Sequence, residues 1–496
     1  VGARGVFAAS LGVILLGGCA IEPPNVAVPI PTAYRAERGR ASAVLPEDWV
    51  RGFRSPELNR LVAGSLSGNL DLEAALARIQ QAQAQSVVAS SALFPLISGS
   101  ADASRSRSSF GGGSRGSTAA GLAGTGGSSA NNNYQLGLNA SYNIDLFGQN
   151  RFAALAAGDN ARSVLFARDV LALSTVASVA NTYFDVLSAQ DRLRIARENI
   201  AIAQRVLDAV RGRLAVGTAT ALDVAQQESV LATQRAAIPT LEQGVQQNRN
   251  VLAVLLGRTP ESVQIRGGSL DGLSLPRVSP GLPAELLLRR PDIAEQEANL
   301  ESASASVASA RAAFFPSITL TGSTGFQSLA LKSLLGGSSV VYSVAAGLTQ
   351  PLIDGYQLQG QLDLQKGRAA EFAASYRKAI IQALSDVENA LVALQQTTER
   401  ERLQREAVAA SRRALEITER QLREGTIDLV TLFNIQTTLF TAQDTLAQVR
   451  LLRFQAVVSL YQALGGGWSQ ARALPRRPAI TEVSVSIPAQ PVVVVP

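Results

Sequence analysis

The chain repeats itself, and a repeat constrains a fold more tightly than any local pattern, because each copy must supply the same elements to one larger object. DLEAALARIQQAQA at 71–84, running on to Phe94-Pro95, aligns with DIAEQEANLESASA at 292–305, running on to Phe315-Pro316. Leu214, Gly217 and Thr218 align with Leu422, Gly425 and Thr426, and Leu256-Gly257 with Leu464-Gly465, all at one constant spacing. A chain of 496 residues has the length of about three ordinary domains. The repeat argues instead for two interleaved halves of one body.

Composition narrows the function. There is no histidine and one cysteine, Cys19. That removes histidine bases, histidine metal ligands, Ser-His-Asp triads, intrachain disulfides and cysteine-rich zinc sites. No metal site, no catalytic constellation and no enzyme activity is expected. Aromatics make up only 5% of the chain, and long tracts of Ala, Leu, Gln, Arg and Glu favour long helices. The formal charge of +6 comes from Arg scattered among acids, as in RERLQREAVAASRRALEITERQLRE at 400–424. Nucleic-acid binders gather their basic residues on one face. These tracts read as solvated helix faces, and no nucleic-acid partner is expected.

Arg4 precedes an apolar run from Val6 to Leu16, and Leu16-Gly17-Gly18 leads into Cys19. This reads as a lipoprotein signal peptide over 1–18, too short to span a bilayer as a helix. Cys19 is the expected lipidation site, and its covalent lipid the only expected prosthetic group. The small residues before Cys19 resemble a bacterial lipobox, and that resemblance implies outer-membrane sorting from Ala20 after the cysteine. Residues 19–54 form a Pro-rich tether followed by an equatorial segment, and 469–496 a flexible C-terminal tail.

Two long helices are predicted. Val176, Val179, Tyr183, Val186, Leu193 and Ile200 recur at threes, fours and sevens, and Leu384, Val387, Leu391 and Leu394 do the same in the second copy. A sustained period of 3.5 residues packs helices side by side in coiled-coil fashion. The first repeat (55–275) should hold a short helix over 70–93, a β-hairpin over 96–148, a long helix over 151–216 and a returning helix over 219–256. The second (276–468) should hold a helix over 292–314, a hairpin over 317–353, a long helix over 356–424 and a returning helix over 427–464. Some 65 helical residues span roughly 100 Å, and a short plus a returning helix roughly 90 Å. Gly217-Thr218 and Gly425-Thr426 fall where each long helix must turn back.

Tyr134, Leu136, Leu138, Ala140, Tyr142 and Ile144 alternate with Gln135, Gly137, Asn139, Ser141 and Asn143, and Val340–Leu348 alternates similarly. Such ten-residue segments match transmembrane strands, apolar towards lipid and polar towards a lumen. Their partners should lie at 96–109 and 317–327, with 110–133 a flexible outer loop. Four strands cannot close a barrel alone, and open edges are not tolerated in lipid. Two, three or four chains would close barrels of 8, 12 or 16 strands.

LLLRRPDIAEQEANL at 286–300 followed by ARAAFFPSITLTG at 310–322 resembles the signature of TolC-like outer-membrane factors. More narrowly, the chain is similar to the NodT-type lipoproteins of RND multidrug efflux systems. Trp49, Phe53, Pro56, Glu57 and Leu58 match their N-terminal segment, IDLFGQNR at 144–151 their strand-to-helix junction, and LYQALGGGW at 460–468 their closing motif. The resemblance implies a mixed α/β membrane protein. It would be a homotrimer sharing a 12-strand barrel in outer-membrane lipid, continuous with a long periplasmic α-helical barrel. It also implies a passive exit duct for drugs or other small molecules, docked to a periplasmic adaptor and fed by an inner-membrane RND pump.

On that resemblance, Leu214, Gly217, Thr218, Leu422, Gly425 and Thr426 are candidates for adaptor contact at the hairpin tips. Acidic rings at the periplasmic end make Asp223 and Asp428 gate candidates. Arg289, Arg290, Pro291 and Asp292 shape the start of the short helix. Competing readings are a structural coiled-coil lipoprotein without a pore, which would not conduct, and a carboxylate enzyme, which would need two paired acids in a pocket. A type I secretion conduit or a metal-ion exporter is the alternative within the channel class.

Overall fold

The computed structural model describes residues 26–35, 48–108, 129–276, 278, 280–424 and 426–468. The expected signal peptide, Cys19, most of the loop at 110–133, Gly425 and the C-terminal tail lie outside the described residues.

The elements run α1 (Pro56–Gly68), α2 (Leu70–Ser91), β1 (Leu96–Ser108), β2 (Ser129–Ile144), α3 (Gln149–Ala215), α4 (Ala221–Leu255), α5 (Pro291–Ala312), β3 (Ser317–Ser328), β4 (Val340–Thr349), α6 (Gln357–Glu424) and α7 (Leu429–Ala463). The helices pair by length: α2 and α5 have 22 residues each, α3 and α6 have 67 and 68, and α4 and α7 have 35 each. Observed limits fall within a few residues of those read from the sequence. The main difference is β2. Asn131, Asn132 and Asn133, expected in a loop, pair with Ser106, Arg105 and Ser104. Asparagine has low strand propensity, and ladder bonds to β1 override it.

The chain divides into two compact units. One collects Ala77–Val164 and Gln296–Arg377, and the other Val28–Leu76, Leu165–Glu295 and the residues from Lys378 onwards. In the first, β1–β2–β3–β4 form one antiparallel sheet in sequence order. Small side chains let its helices approach closely. Ala303, Val307, Leu362 and Ala369 make a buried cluster, and Ser302 and Ser309 donate across to the carbonyls of Ala156 and Gln149 at 2.8 and 2.9 Å.

The second unit has an aromatic core. Trp49 stacks on Tyr461 (centroids 4.8 Å apart), and Phe53, Phe184 and Phe454 lie within 6.0 Å of one another. Ser55 caps α1 by accepting from the Leu58 amide at 3.1 Å, and Tyr183 lies 3.1 Å from the same hydroxyl. Val179, Tyr183, Val186, Val387 and Leu391, all at the predicted seam positions, are buried. The segment read as a tether is held here too: Tyr34 is buried, and the Arg35 amide donates to Glu388.

Two glycines at equivalent places in the repeat close α4 and α7. Gly257 and Gly465 have φ of +64° and +86°, and a Cβ on either would lie 1.9 Å from a backbone oxygen, of Gly68 and Arg289 respectively. Only glycine allows both the left-handed turn and that approach. Arg290 secures the start of α5. Its guanidinium takes both oxygens of Asp292 at 3.0 and 2.7 Å, reaches Asp386 at 3.0 Å and donates to the Ala463 carbonyl at 3.0 Å.

The charged tract at 400–424 is only partly a solvated face. Arg402 pairs with Glu399 and Glu406 in the open, as expected. Glu401, by contrast, is 2% exposed and lies among Arg405, Arg450 and Arg453, while Arg450 also pairs with Asp271. Burial pushes the Glu401 carboxyl up, but the hydrogen bonds from Arg453, Arg405 and Arg450 outweigh it and leave the group below the ordinary glutamate range.

Candidate conduit wall and helical tips

Successive strand residues face opposite sides of a sheet, so the register sorts every side chain to one face. Leu138 pairs with Gly99 and Thr324, Leu136 with Ala101 and Phe326, and Ala140 with Ile97 and Gly322. Beyond β3 the same face continues through Val340, Tyr342, Val344, Ala346 and Leu348. It is apolar across all four strands, with Tyr134, Phe326 and Tyr342 towards the hairpin ends. Arg105 follows on this face near the end of β1, where an arginine can reach the headgroup level.

The opposite face carries short hydroxyls and amides. Ser98, Asn139, Ser323 and Ser343 form one cross-strand row, and Asp102, Gln135 and Gln327 form part of another. Asn139 donates to Ser100 at 3.2 Å, Gln327 to Asn133 at 3.1 Å, and Ser323 and Ser343 share a 2.9 Å bond. Among the described strand residues, Asp102 is the only charged side chain on this face. Strands β1 and β4 each leave one edge without a strand partner among the described residues.

In the second unit the tips are built by helix-end chemistry. At the end of α3, the Gly217 amide donates to the Leu214 carbonyl at 3.0 Å and the Thr218 amide to the Arg213 carbonyl at 2.9 Å. This pair of bonds is a Schellman motif with Gly217 at its left-handed position, φ +77°. Nothing lies within 4 Å of a Cβ placed there, so conformation and not space demands the glycine. At the second tip the Thr426 amide donates to the Gln421 carbonyl at 3.0 Å, the equivalent bond.

The sequence equates Leu214 with Leu422, but the structure separates them. Leu214 is exposed, whereas Leu422 is 7% exposed and packs with Val206, Val210, Leu429 and Leu432. The large apolar side chains exposed at the first tip are Leu214, Val216 and Leu222. Sequence reasoning missed the last two, although apolar residues flanking a helix-end glycine were visible.

Asp223 and Asp428 both cap helices. Asp223 accepts from the Thr220 amide at 2.7 Å while the Thr220 hydroxyl accepts from the Asp223 amide at 3.2 Å, a reciprocal capping box. Asp428 accepts from the Thr431 amide at 2.8 Å and hydroxyl at 2.9 Å. Those bonds hold its carboxyl below the ordinary aspartate range. One acid sits at the third helical position and the other at the cap itself, which accounts for their unequal offset in the repeat.

The family model for outer membrane efflux proteins matches residues 61–258 and 282–466. The chain belongs to the outer membrane efflux protein family. It is 36% identical over 463 residues to the pyoverdine export outer membrane protein OpmQ of Pseudomonas aeruginosa, covering 92% of this chain and 96% of that one. It is 31% identical over 488 residues to the toluene efflux pump outer membrane protein TtgC of Pseudomonas putida, covering 97% and 99%. The solved structure of the outer-membrane channel OprN superposes with a TM-score of 0.80 at 28% identity, covering 90% of this chain and 99% of that one.

The resemblance drawn from the sequence is therefore correct at the level of family. This outer membrane efflux protein is an efflux channel of the outer membrane, extending into the periplasm, and its family is one of transport and not of enzymes.

Proposed function

We propose that this outer membrane efflux protein is the passive exit duct of a tripartite pump. Three copies close a 12-strand barrel with the hydroxyl and amide face towards the lumen. The observation that carries the reading is the sheet itself: one face apolar, one polar, and both edges open. Unpaired backbone in lipid costs several kcal/mol per group, so the edges must pair with other copies. Of the 8, 12 or 16 strands that two, three or four copies would supply, the resemblance to TolC-like factors selects twelve.

Below the barrel the long helices line the periplasmic stretch, and energy comes from an inner-membrane pump of the RND type. The exposed parts of the tips, Leu214, Gly217, Thr218 and Thr426, dock an adaptor protein together with Gly425, which lies outside the described residues, while buried Leu422 holds their shape. Asp223 and Asp428 stand close to the turns, where their charge favours cations at the periplasmic gate as well as capping the helices. Cys19 carries the lipid anchor. Cargo is a small molecule, the class to which pyoverdine and toluene belong in the relatives.

Reconstitution tests this directly. Purified protein should migrate as a heat-modifiable trimer and conduct ions across a planar bilayer. Deleting its gene should abolish export of at least one small molecule, with restoration on complementation. A protein that inserts into membranes without conducting would return the reading to a structural lipoprotein.

A further inference from the structure

Where the two repeats meet inside the sheet, an aromatic pair closes the junction. Phe147, just after β2, stacks on Phe315, just before Pro316 and β3, with centroids 4.7 Å apart and planes at 13°. Antiparallel pairing forces this meeting: the end of β2 lies beside the start of β3, Ile144 opposite Ile318.

The same parts exist at the two free edges, where they have no such meeting within the chain. Phe94-Pro95 opens β1 as Phe315-Pro316 opens β3. An apolar pair also follows each of β2 and β4, Leu146-Phe147 just after Asp145 and Leu352-Ile353 just ahead of Asp354. Both junctions use an aspartate to start the next helix: Asp145 accepts from the Arg151 amide at 2.8 Å, and Asp354 from the Leu358 amide at 2.9 Å. The difference is exposure. Phe94 is 65% exposed, Leu352 89% and Ile353 96%. Tyr356 beside them is 85% exposed and held at a left-handed φ of 68°.

We infer that Ile353 and Leu352 of one copy pack against Phe94 of the next, reproducing between chains the Phe147–Phe315 contact made within each chain. The inference rests on the reading that copies of this chain close a barrel, and it names the side chains that lock the seam. An antiparallel pairing of β4 with the neighbour's β1 brings the end of one strand beside the start of the other, as it does for β2 and β3. Both groups then lie at the helix end of the sheet. Lipid covering is the competing occupant. It would leave the backbone edges of β1 and β4 unpaired, which lipid does not tolerate.

The test is a double variant, Phe94→Cys with Ile353→Cys, oxidised in outer membranes and run on a denaturing, non-reducing gel. Within one chain the two sites sit on strands three spacings apart, roughly 14 Å, beyond the reach of a disulfide. Covalent dimers and trimers that collapse on reduction are expected. Co-expressed single variants should stop at dimers, and either one alone should stay monomeric, which excludes links through Cys19. A denatured monomer from a particle whose native mass is trimeric overturns the contact while leaving the trimer intact. A native mass other than trimeric overturns the barrel reading itself. As a second measurement, Ile353→Asp should lower the temperature at which the trimer dissociates in detergent, and Phe94→Lys in the same chain should restore it. Unchanged dissociation in both variants also counts against the contact.

Discussion

The guanidinium of Arg213 donates to the carbonyl of Leu422 at 2.8 Å, tying the last turn of α3 to the last turn of α6. A positive charge at a helix C-terminus is favourable in itself, and the bond satisfies a carbonyl that has no partner inside its own helix. On the proposed reading, opening the tips would separate these two turns. Replacing Arg213 by Gln removes a charged bond worth about 1 kcal/mol per chain at a partly exposed site, which should favour the open state roughly fivefold for each copy that opens. Single-channel recordings of the purified protein read this fraction directly. An unaltered open fraction would show that the tie does not hold the gate.

Gly217→Val should disturb the same tip by another route. A β-branched residue at φ +77° costs about 1–2 kcal/mol, and the Schellman turn should reshape to relieve it. Export should fall while trimer yield and membrane insertion remain normal. Wild-type export from this variant would mean that the glycine only terminates α3.

Glu401 gives the helical region a predictable response to acid. Its folded carboxyl titrates below the ordinary value, so the stability it confers is fully present above about 4.3 and drains away as pH falls through the folded pKa. Glu401→Gln leaves Arg405, Arg450 and Arg453 without their shared counter-charge and should cost about 3 kcal/mol at neutral pH. Helix melting followed by circular dichroism from pH 7 to pH 3 should show the gap between wild type and variant narrowing. Parallel pH profiles would sink the assignment.

Asp102 predicts a selectivity change at the barrel. In a trimer the register would bring three copies of this carboxylate into one ring, on a face with no other charge among the described strand residues. Asp102→Asn should lower the preference for potassium over chloride, read as a shift of reversal potential in a salt gradient, with single-channel conductance falling modestly at low salt. The salt dependence matters, because screening at about 1 M reduces the effect of the ring. A reversal potential identical to wild type would place Asp102 away from the ion path.

Much of this was legible from the chain. Helix lengths followed from a period sustained over dozens of residues, and the strands from an alternation that also predicts which face meets lipid. Two things were not. The repeat equates Leu214 with Leu422, yet one is exposed and the other is buried among Val206, Val210 and Leu429, because the copies pack against different neighbours. The Glu401–Arg405 spacing is visible in sequence, but Arg450 and Arg453 arrive from α7, and only the tertiary fold turns a surface pair into a buried centre. The capping box at Thr220 and Asp223 was readable as T-x-x-D ahead of a helix. The structure forms it, with both bonds present.

The hydroxyl and amide face described above also bears on how fast anything can travel through the barrel. Serine, threonine and asparagine exchange their bonds to water at little net cost, since each broken contact is replaced by an equivalent one. A solute sliding along such a surface meets no deep well from which it must escape, and an oily molecule finds only scattered apolar side chains such as Val341 and Ala345. Residence time in the barrel is then set by diffusion and not by desorption. Asp102 apart, a lining of this kind in the proposed barrel would ask little of the chemical identity of an uncharged solute.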